Sequence, residues 1–246
     1  MADLSVISRI QDIPLLAGAD ALSVTAGPGL AYLPDGTRMR SAGVSASLPA
    51  TPANGWWYAY GYPMPGGMMG LELSQTPPDA PYQGSARCKQ GDPTRRYLSQ
   101  GLVVGNKLRP AIHLQGLSKG NLVLFDQSTA TFTVPPSLLS INANVATPVT
   151  TSLAGLVPSG ATAARLQLNN MTNGTLYLQR PSIGAASPTS RQVGVQANNS
   201  LVFDVRLDAN LNISTAVSAT NLLGVLLTLI LSGGYSVEVQ GYYFDR

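Results

Sequence analysis

The chain has 246 residues, of which 44% are hydrophobic and only 11% are charged. This length suffices for one large β domain or two ordinary ones, and the charged share is less than half of that usual in soluble domains. The formal net charge of +3 is small and the basic residues are scattered, which argues against a nucleic-acid-binding protein.

Glycine and proline are abundant, at 25 and 18 residues, while Cys88 is the single cysteine. Many short strands joined by tight turns are typical of this composition, so the sequence predicts an all-β protein. A surface poor in charge has little like-charge repulsion, which favours contacts with other copies or other proteins. One cysteine excludes an internal disulfide, and we expect Cys88 to be a small buried thiol.

The N-terminal segment has no basic region followed by an apolar core, so no signal peptide is predicted. The most apolar run, residues 222–231, is too short to cross a bilayer as a helix and is interpreted as one or two buried strands. We therefore expect a soluble chain that is made in a cytoplasm and is not inserted into a membrane.

Residues 1–20 are predicted to form an N-terminal arm, and residues 21–133 a first β domain. Residues 30–33 and 37–40 flank Pro34-Asp35-Gly36, a typical hairpin turn. Further strands are predicted at residues 44–48, 56–62, 71–73, 85–89, 95–104, 111–114 and 121–125. Three prolines exclude regular structure from residues 75–81.

The predicted strand at residues 56–62 contains five aromatic residues. If it is extended, one face carries Trp56, Tyr58, Tyr60 and Tyr62. The opposite face carries Trp57, Ala59 and Gly61. Rings of this kind form either a core or subunit interface, which is the favoured interpretation, or an exposed stacking surface for a ligand.

The predicted turn Gly91-Asp92-Pro93 leads into the strand at residues 95–104. This strand places Arg95 and Tyr97 on one face and Arg96 on the other. Asp92 precedes Arg95 closely enough to pair with its guanidinium. A bidentate pair that is partly buried at a contact would fix the loop, whereas an exposed pair would add little stability.

Pro135-Pro136 is the predicted domain boundary, because consecutive prolines form a stiff, extended spacer. Beyond it, residues 137–246 are predicted to form an antiparallel β-sandwich of jelly-roll-like type. Its strands are expected at residues 163–168, 175–179, 192–196, 201–207, 213–217, 223–231 and 235–244. Turns are predicted at Asn169-Asn170, Asn173-Gly174, Asn198-Asn199, residues 208–210 and Gly233-Gly234.

The residues needed for catalysis are scarce. The only histidine, His113, lies in a predicted strand without a serine or cysteine nucleophile motif, and no glycine-rich phosphate loop is present. A zinc site would require His113 side chains of several copies to meet on a symmetry axis. Glu72 and Asp79 are interpreted as contact and turn residues rather than a glycosidase pair. We predict no enzyme, no catalytic residue, no cofactor and no metal.

A Tyr-rich strand is followed here by a Thr-Pro-Pro stretch and by the pattern Gly-x-Ala-Arg-x-Lys-x-Gly-Asp-x-Thr-Arg-Arg-Tyr-Leu. The matching residues are Pro77, Pro78, Gly84, Ala86, Arg87, Lys89, Gly91, Asp92, Thr94, Arg95, Arg96, Tyr97 and Leu98. This segment resembles one found in tailed-bacteriophage fibre and spike-type virion surface proteins. It departs from that pattern at Pro93, where a hydroxyl residue is usual, and at Cys88, which interrupts the basic stretch.

The resemblance implies a bacteriophage virion structural protein: a short fibre, spike or fibre-base subunit that forms homotrimers and is located in the virion. Residues up to 133 are then expected to attach to other virion proteins of the tail or capsid and to trimerise. The C-terminal sandwich is expected to project, with a host surface glycan as a candidate ligand. The expected interface residues are Trp56, Trp57, Tyr58, Tyr60, Tyr62, Asp92, Arg95, Arg96 and Tyr97.

Two alternatives remain open at this point. One is a capsid decoration protein, of the cement or head-fibre kind, which would also belong to the virion but would be attached to the capsid. The other is a glycan-degrading tail spike enzyme, whose two carboxylates would have to come from the acids scattered along the chain.

Overall fold

A computed structural model describes residues 15–17, 23–109, 111–117, 120–125, 137–141, 148–172, 174–180, 182–187, 191, 193–217 and 234–244. Over these residues the chain is built from β-strands and one 3-10 turn, without an α-helix, which confirms the predicted all-β class. The chain divides into two compact units: unit 1, Met1–Thr129 with Asp245–Arg246, and unit 2, Ala130–Phe244. The predicted boundary at Pro135-Pro136, the strand at residues 223–231 and all of the N-terminal arm except residues 15–17 lie outside the described residues.

Unit 1 is dominated by one mixed sheet. The strands of the unit are β1 (Leu15–Ala17), β2 (Ser23–Tyr32), β3 (Arg38–Ser47), β4 (Gly55–Met64), β5 (Met68–Ser74), β6 (Cys88–Lys89), β7 (Asp92–Val104), β8 (Lys107–Leu108), β9 (Ala111–Leu117) and β10 (Gly120–Phe125). The sheet order is β1-β2-β3-β5-β4-β7-β6, and β8 also pairs with β7. All these pairs are antiparallel except β3 and β5, which are parallel at Arg40 and Met68. Strands β9 and β10 form an antiparallel pair.

The first hairpin forms as predicted, because its turn residues have the right local chemistry. Strands β2 and β3 pair antiparallel up to Tyr32 and Arg38. The Asp35 carboxylate accepts a hydrogen bond of 2.8 Å from the backbone N–H of Thr37. Gly36 adopts a φ of +85°, a conformation that favours glycine.

The core of unit 1 lies against one face of this sheet. Its members alternate along their strands with residues that face the other way. The buried cluster consists of Ala26, Ala31, Leu33, Met39, Ala59, Met69, Leu71 and Leu98. Strands β3, β4 and β5 therefore direct their intervening side chains, including the tyrosines of β4, to the opposite face, which we call the outer face.

Unit 2 contains two antiparallel sheets, the arrangement expected for a sandwich. Its strands are β11 (Ser137–Ile141), β12 (Val149–Ser152), β13 (Ala161–Asn170), β14 (Leu176–Gln179), β15 (Val193–Val195), β16 (Asn199–Arg206), β17 (Asn212–Val217) and β18 (Tyr235–Phe244). One sheet has the order β16-β13-β18 with β11 paired to β18, and the other has the order β12-β17-β14-β15. The hydroxyls of Thr215 on β17 and Tyr235 on β18 are hydrogen-bonded at 2.9 Å and join the two sheets.

Three local predictions were wrong. Asn169-Asn170 is not a turn but the end of β13, because the buried Asn170 side chain bonds to the backbone that follows. The strand predicted at residues 85–89 is reduced to Cys88–Lys89, since Ala86 closes a turn onto Gln83. The turn predicted at Gly91-Asp92-Pro93 lies one residue earlier, because β7 already begins at Asp92.

Candidate functional site

The tyrosines of β4 are packed on the outer face of the unit 1 sheet. Tyr58, Tyr60 and Tyr97 are all buried there. The Tyr97 ring lies 6.4 Å from that of Tyr58 and 6.1 Å from that of Tyr60, in tilted arrangements that favour aromatic contact. The Tyr60 hydroxyl donates a 2.7 Å hydrogen bond to the carbonyl of Thr76, and burial strongly raises the pKa of Tyr60. These three rings form a buried aromatic cluster.

Tyr62 is half-buried, and its ring has close neighbours on β5 and β7. The ring lies next to Gly70, where an added Cβ would come within 2.3 Å of it. Over the ring lies the Arg95 guanidinium, 4.5 Å from the ring centroid. Gly70 thus provides the space for the ring, and the Arg95 guanidinium already contacts the ring where a sugar would stack. The alternative of a ring-stacking platform is not favoured at this position.

Glu72 on β5 holds an ion-pair cluster beside Tyr62. Its carboxylate accepts hydrogen bonds from the ammonium of Lys89 and, at 2.7 Å, from Nε of Arg95. Burial acts to raise the pKa of Glu72, but the hydrogen bonds and charges of Lys89 and Arg95 together lower it below its ordinary value. Glu72 is therefore ionised at neutral pH and links β5, β6 and β7.

Asp92 does not form the bidentate pair with Arg95 that the spacing suggested. The Arg95 Nε and the nearest Asp92 carboxylate oxygen are 4.0 Å apart, because Arg95 is turned towards Glu72. The Asp92 carboxylate accepts hydrogen bonds from the hydroxyl and the backbone N–H of Thr94, at 2.6 and 3.0 Å. Hydrogen bonding by Thr94 lowers the pKa of Asp92. Asp92 thus stabilises its own turn.

Arg96 is fully buried, unlike its neighbour Arg95. It donates a 3.0 Å hydrogen bond from Nη1 to the carbonyl of Arg87, and its guanidinium carbon lies 5.6 Å from the Tyr82 ring centroid. Burial lowers the pKa of Arg96. Cys88 is paired opposite Arg96 and is also buried, and burial raises the pKa of its thiol to about 11. The thiol is therefore protonated at neutral pH and unsuited to nucleophilic chemistry.

The two tryptophans lie at the start of β4, and both are half-buried. Trp57 donates a 3.0 Å hydrogen bond from Nε1 to the carbonyl of Ala53 and packs against the cluster of Leu48, Val103 and Leu108. Trp56 lies directly opposite Leu102 on β7. The nine predicted interface residues thus lie on the neighbouring strands β4 and β7 and share one sheet. Four of them, Tyr58, Tyr60, Arg96 and Tyr97, are buried, and the other five are half-buried.

Of the residues considered for catalysis, His113 lies within β9. Over the described ranges, no three His, Cys, Asp or Glu side chains are grouped so that they could hold a metal ion. No helix in that same part of the chain has the length and hydropathy needed to span a membrane. No protein-family model matches the chain, and no curated protein matches it.

Sequence reasoning missed two groups of polar residues in unit 2. The carboxylate of Asp204 accepts from Arg165 at 2.8 and 3.2 Å and from the Tyr243 hydroxyl at 2.7 Å, which ties β16, β13 and β18 together. Asn170 and Thr172 form a buried network next to β15. The alternation of polar and apolar residues along β13 predicts that Arg165 faces away from the core, but not that its partners lie on two other strands.

The ionised state of Glu72 leads to a testable pH dependence. Because the folded-state pKa of Glu72 is lowered from its ordinary value of 4.5, its stabilising contribution is complete above that pH and is lost as the pH falls through the folded-state value. The difference in unfolding free energy between the wild type and Glu72→Gln should therefore be largest near neutral pH and should shrink below pH 4.5.

This difference can be measured by urea unfolding followed by tryptophan fluorescence, since both tryptophans, Trp56 and Trp57, lie in unit 1. Asp35 and Asp92 also have lowered pKa values, so both proteins should lose stability in acid. Subtracting one curve from the other removes that shared slope. A difference that stays constant from neutral pH to pH 3 would show that Glu72 is not stabilised as an anion.

Proposed function

We propose that the chain is a structural protein of a bacteriophage virion, a short fibre, spike or fibre-base subunit that attaches to the particle and forms homotrimers. The observation that carries the proposal is the segment from Gly84 to Leu98, which resembles virion surface proteins of this kind.

The matched residues have structural roles, which supports a mechanical function. Gly91 takes a φ of +75° in the turn before β7, and Asp92 is bonded to Thr94 in the first residues of that strand. Arg96 and Leu98 are fully buried in the sheet. Residues that fix a turn and fill the interior of a sheet in this way make the sheet rigid, as a fibre or spike requires.

The environment of Glu72 argues against the alternative of a glycan-degrading spike. A glycosidase needs one carboxyl group with a raised pKa to protonate the leaving oxygen. The pKa of Glu72 is lowered by Lys89 and Arg95, which occupy its carboxylate. The capsid decoration protein remains the second candidate, since the same rigid sheet would serve on a head as well as on a tail.

Immunoelectron microscopy on purified particles of the virus that encodes the chain tests the proposal. We expect label on tails, a mass-spectrometric signal for the chain in the same particles, and a native mass of the purified protein that is a threefold multiple of 25.7 kDa. Label confined to heads would select the decoration protein. Absence of the chain from particles would contradict its assignment as a virion subunit. A stable monomer at micromolar concentration would contradict the trimeric state.

A further inference from the structure

The outer face of unit 1 carries an exposed patch at the tip of the β4–β5 hairpin. It consists of Arg38 and Arg40 on β3, Met64 on β4, Met68 on β5 and the connecting turn Pro65–Gly67, and we call it the docking patch. Met64 and Met68 lie directly opposite each other, and Met68 is also the register partner of Arg40. Neighbouring strands are about 4.8 Å apart, so these residues are contiguous.

All four side chains share one face. Met39 and Met69 are buried in the core cluster, and their neighbours Arg38, Arg40 and Met68 therefore face outwards. Met64 and Met68 are 45% and 39% exposed, which is unusual for large apolar side chains that lie side by side. The patch is continuous with Tyr62, which precedes Met64 on the same face.

The side chains of both arginines are exposed. Among the residues that the structure describes, neither the Arg38 nor the Arg40 side chain forms a hydrogen bond or an ion pair. Apart from these two arginines, residues 23–109 contain six Lys and Arg against four Asp and Glu, so the surrounding segment is also slightly basic. Charge complementarity therefore favours an anionic occupant.

The apolar part of the patch distinguishes between anionic occupants. Methionine, arginine and tyrosine are enriched at protein–protein interfaces, and exposed methionines adapt to apolar side chains of a partner. An anionic polysaccharide could pair with the arginines, but it has no apolar side chains to pack against the two methionines. A second copy docked face to face would bring Arg38 and Arg40 against their own equivalents, at an electrostatic cost.

We propose that the docking patch binds an acidic protein segment that also carries apolar side chains. Arg38 and Arg40 pair with its carboxylates, and Met64 and Met68 pack against its apolar residues. The inference rests on the proposed function in one respect: it supplies the chemistry of the neighbouring virion protein to which unit 1 would attach.

A random copolymer of glutamate and tyrosine serves as the probe, and binding to the full-length protein is measured by fluorescence anisotropy. Arg38→Glu/Arg40→Glu should weaken binding at least about tenfold, which corresponds to about 1.4 kcal/mol. Met64→Ser/Met68→Ser should weaken it several-fold. The matched control is Lys107→Glu/Arg206→Glu, which makes the same charge change at two exposed positions outside the patch and should leave affinity nearly unchanged.

Each of the other outcomes overturns the proposal. Equal loss in the patch and control variants would indicate non-specific attraction. Tighter binding of alginate than of the copolymer, unaffected by Met64→Ser/Met68→Ser, would assign the patch to an anionic polysaccharide. A changed native mass for Arg38→Glu/Arg40→Glu would assign it to a second copy, and no binding of the copolymer would remove the acidic partner.

Methionine oxidation in purified particles separates this inference from the proposed function. If both hold, Met64 and Met68 are protected from peroxide in the particle but oxidised in the free protein. If the chain is in the particle and its methionines are oxidised equally in both, the inference fails and the function stands. If the chain is absent from particles, the function fails, while the copolymer measurements still decide whether the patch has the proposed chemistry.

Discussion

Replacing Asn170 with alanine should lower the free energy of unfolding of unit 2 by about 3 to 5 kcal/mol, because it breaks a buried hydrogen-bond network. The amide nitrogen of Asn170 donates to the carbonyls of Gly174, Val195 and Gln196, at 2.9, 2.9 and 3.1 Å. Its amide oxygen accepts from the backbone N–H and the hydroxyl of Thr172, at 3.0 and 2.6 Å. Without the side chain, the buried carbonyls of Gly174 and Val195 and the buried N–H of Thr172 lose their hydrogen bonds to Asn170.

The neighbouring asparagine is the matched control. Asn169 is half-exposed on the opposite face of β13 and bonds to other polar side chains, including those of Ser236 and Glu238. Water can replace those bonds, so Asn169→Ala should cost no more than about 1 kcal/mol. Urea unfolding by far-UV circular dichroism, with hydrogen exchange of β13 and β14, measures both variants.

Asn170→Asp makes the test specific for the direction of the hydrogen bonds. Aspartate has the same shape but would place a carboxylate oxygen against three carbonyls, so it should destabilise at least as much as alanine at neutral pH. Protonation of the new carboxyl group would restore one donor, and part of the stability should return in acid. Equal stability of Asn169→Ala and Asn170→Ala would contradict a structural role for the buried network.

The features that were predicted from the sequence are those that depend on nearby residues. The Pro34-Asp35-Gly36 turn is determined by three consecutive residues: a proline, a side-chain acceptor and a glycine. The burial pattern of β13 is determined by the alternation of polar and apolar residues along one strand. The all-β class follows from many such segments. The wrong turn at Asn169-Asn170 shows the limit, since asparagine favours turns by bonding to local backbone, and here it does so from within a strand.

The candidate site depends instead on strand order, which local patterns do not contain. Sequence proximity suggested Asp92 as the partner of Arg95, whereas the shorter contact is with Glu72, which precedes Arg95 by 23 residues. That contact requires β4 and β5 to form a hairpin and β7 to pair with β4. The docking patch likewise depends on the parallel pairing of β3 with β5 that places Arg40 beside Met68.

The outer face therefore has two regions with different roles. Around Tyr60 and Tyr97 the side chains are buried and hold the sheet together. Towards the hairpin tip the side chains are exposed, and they include two arginines and two methionines. Of the predicted interface residues, Tyr58, Tyr60 and Tyr97 lie in the first region, and the proposed docking patch lies in the second.

In unit 1, replacing Arg96 with alanine should lower the free energy of unfolding by about 3 to 5 kcal/mol, because it opens a large cavity in the sheet. The carbonyl of Arg87 would lose the hydrogen bond from Arg96 but keep the one from the backbone N–H of Tyr97, and the Tyr82 ring would lose its contact with the guanidinium. The loss is measured by urea unfolding followed by tryptophan fluorescence, which reports on unit 1 because Trp56 and Trp57 are the only tryptophans.

Arg96→Met separates the volume of the side chain from its charge. Burial disfavours the charged form of Arg96, and a buried cation can often be replaced by an apolar side chain of similar length at little cost. Arg96→Met should therefore lose less than about 2 kcal/mol and remain clearly more stable than Arg96→Ala. If methionine destabilises as much as alanine, the guanidinium acts through its hydrogen bond and its contact with Tyr82. In that case Arg96 and Tyr82 stabilise the sheet through the charge of the guanidinium rather than through its volume.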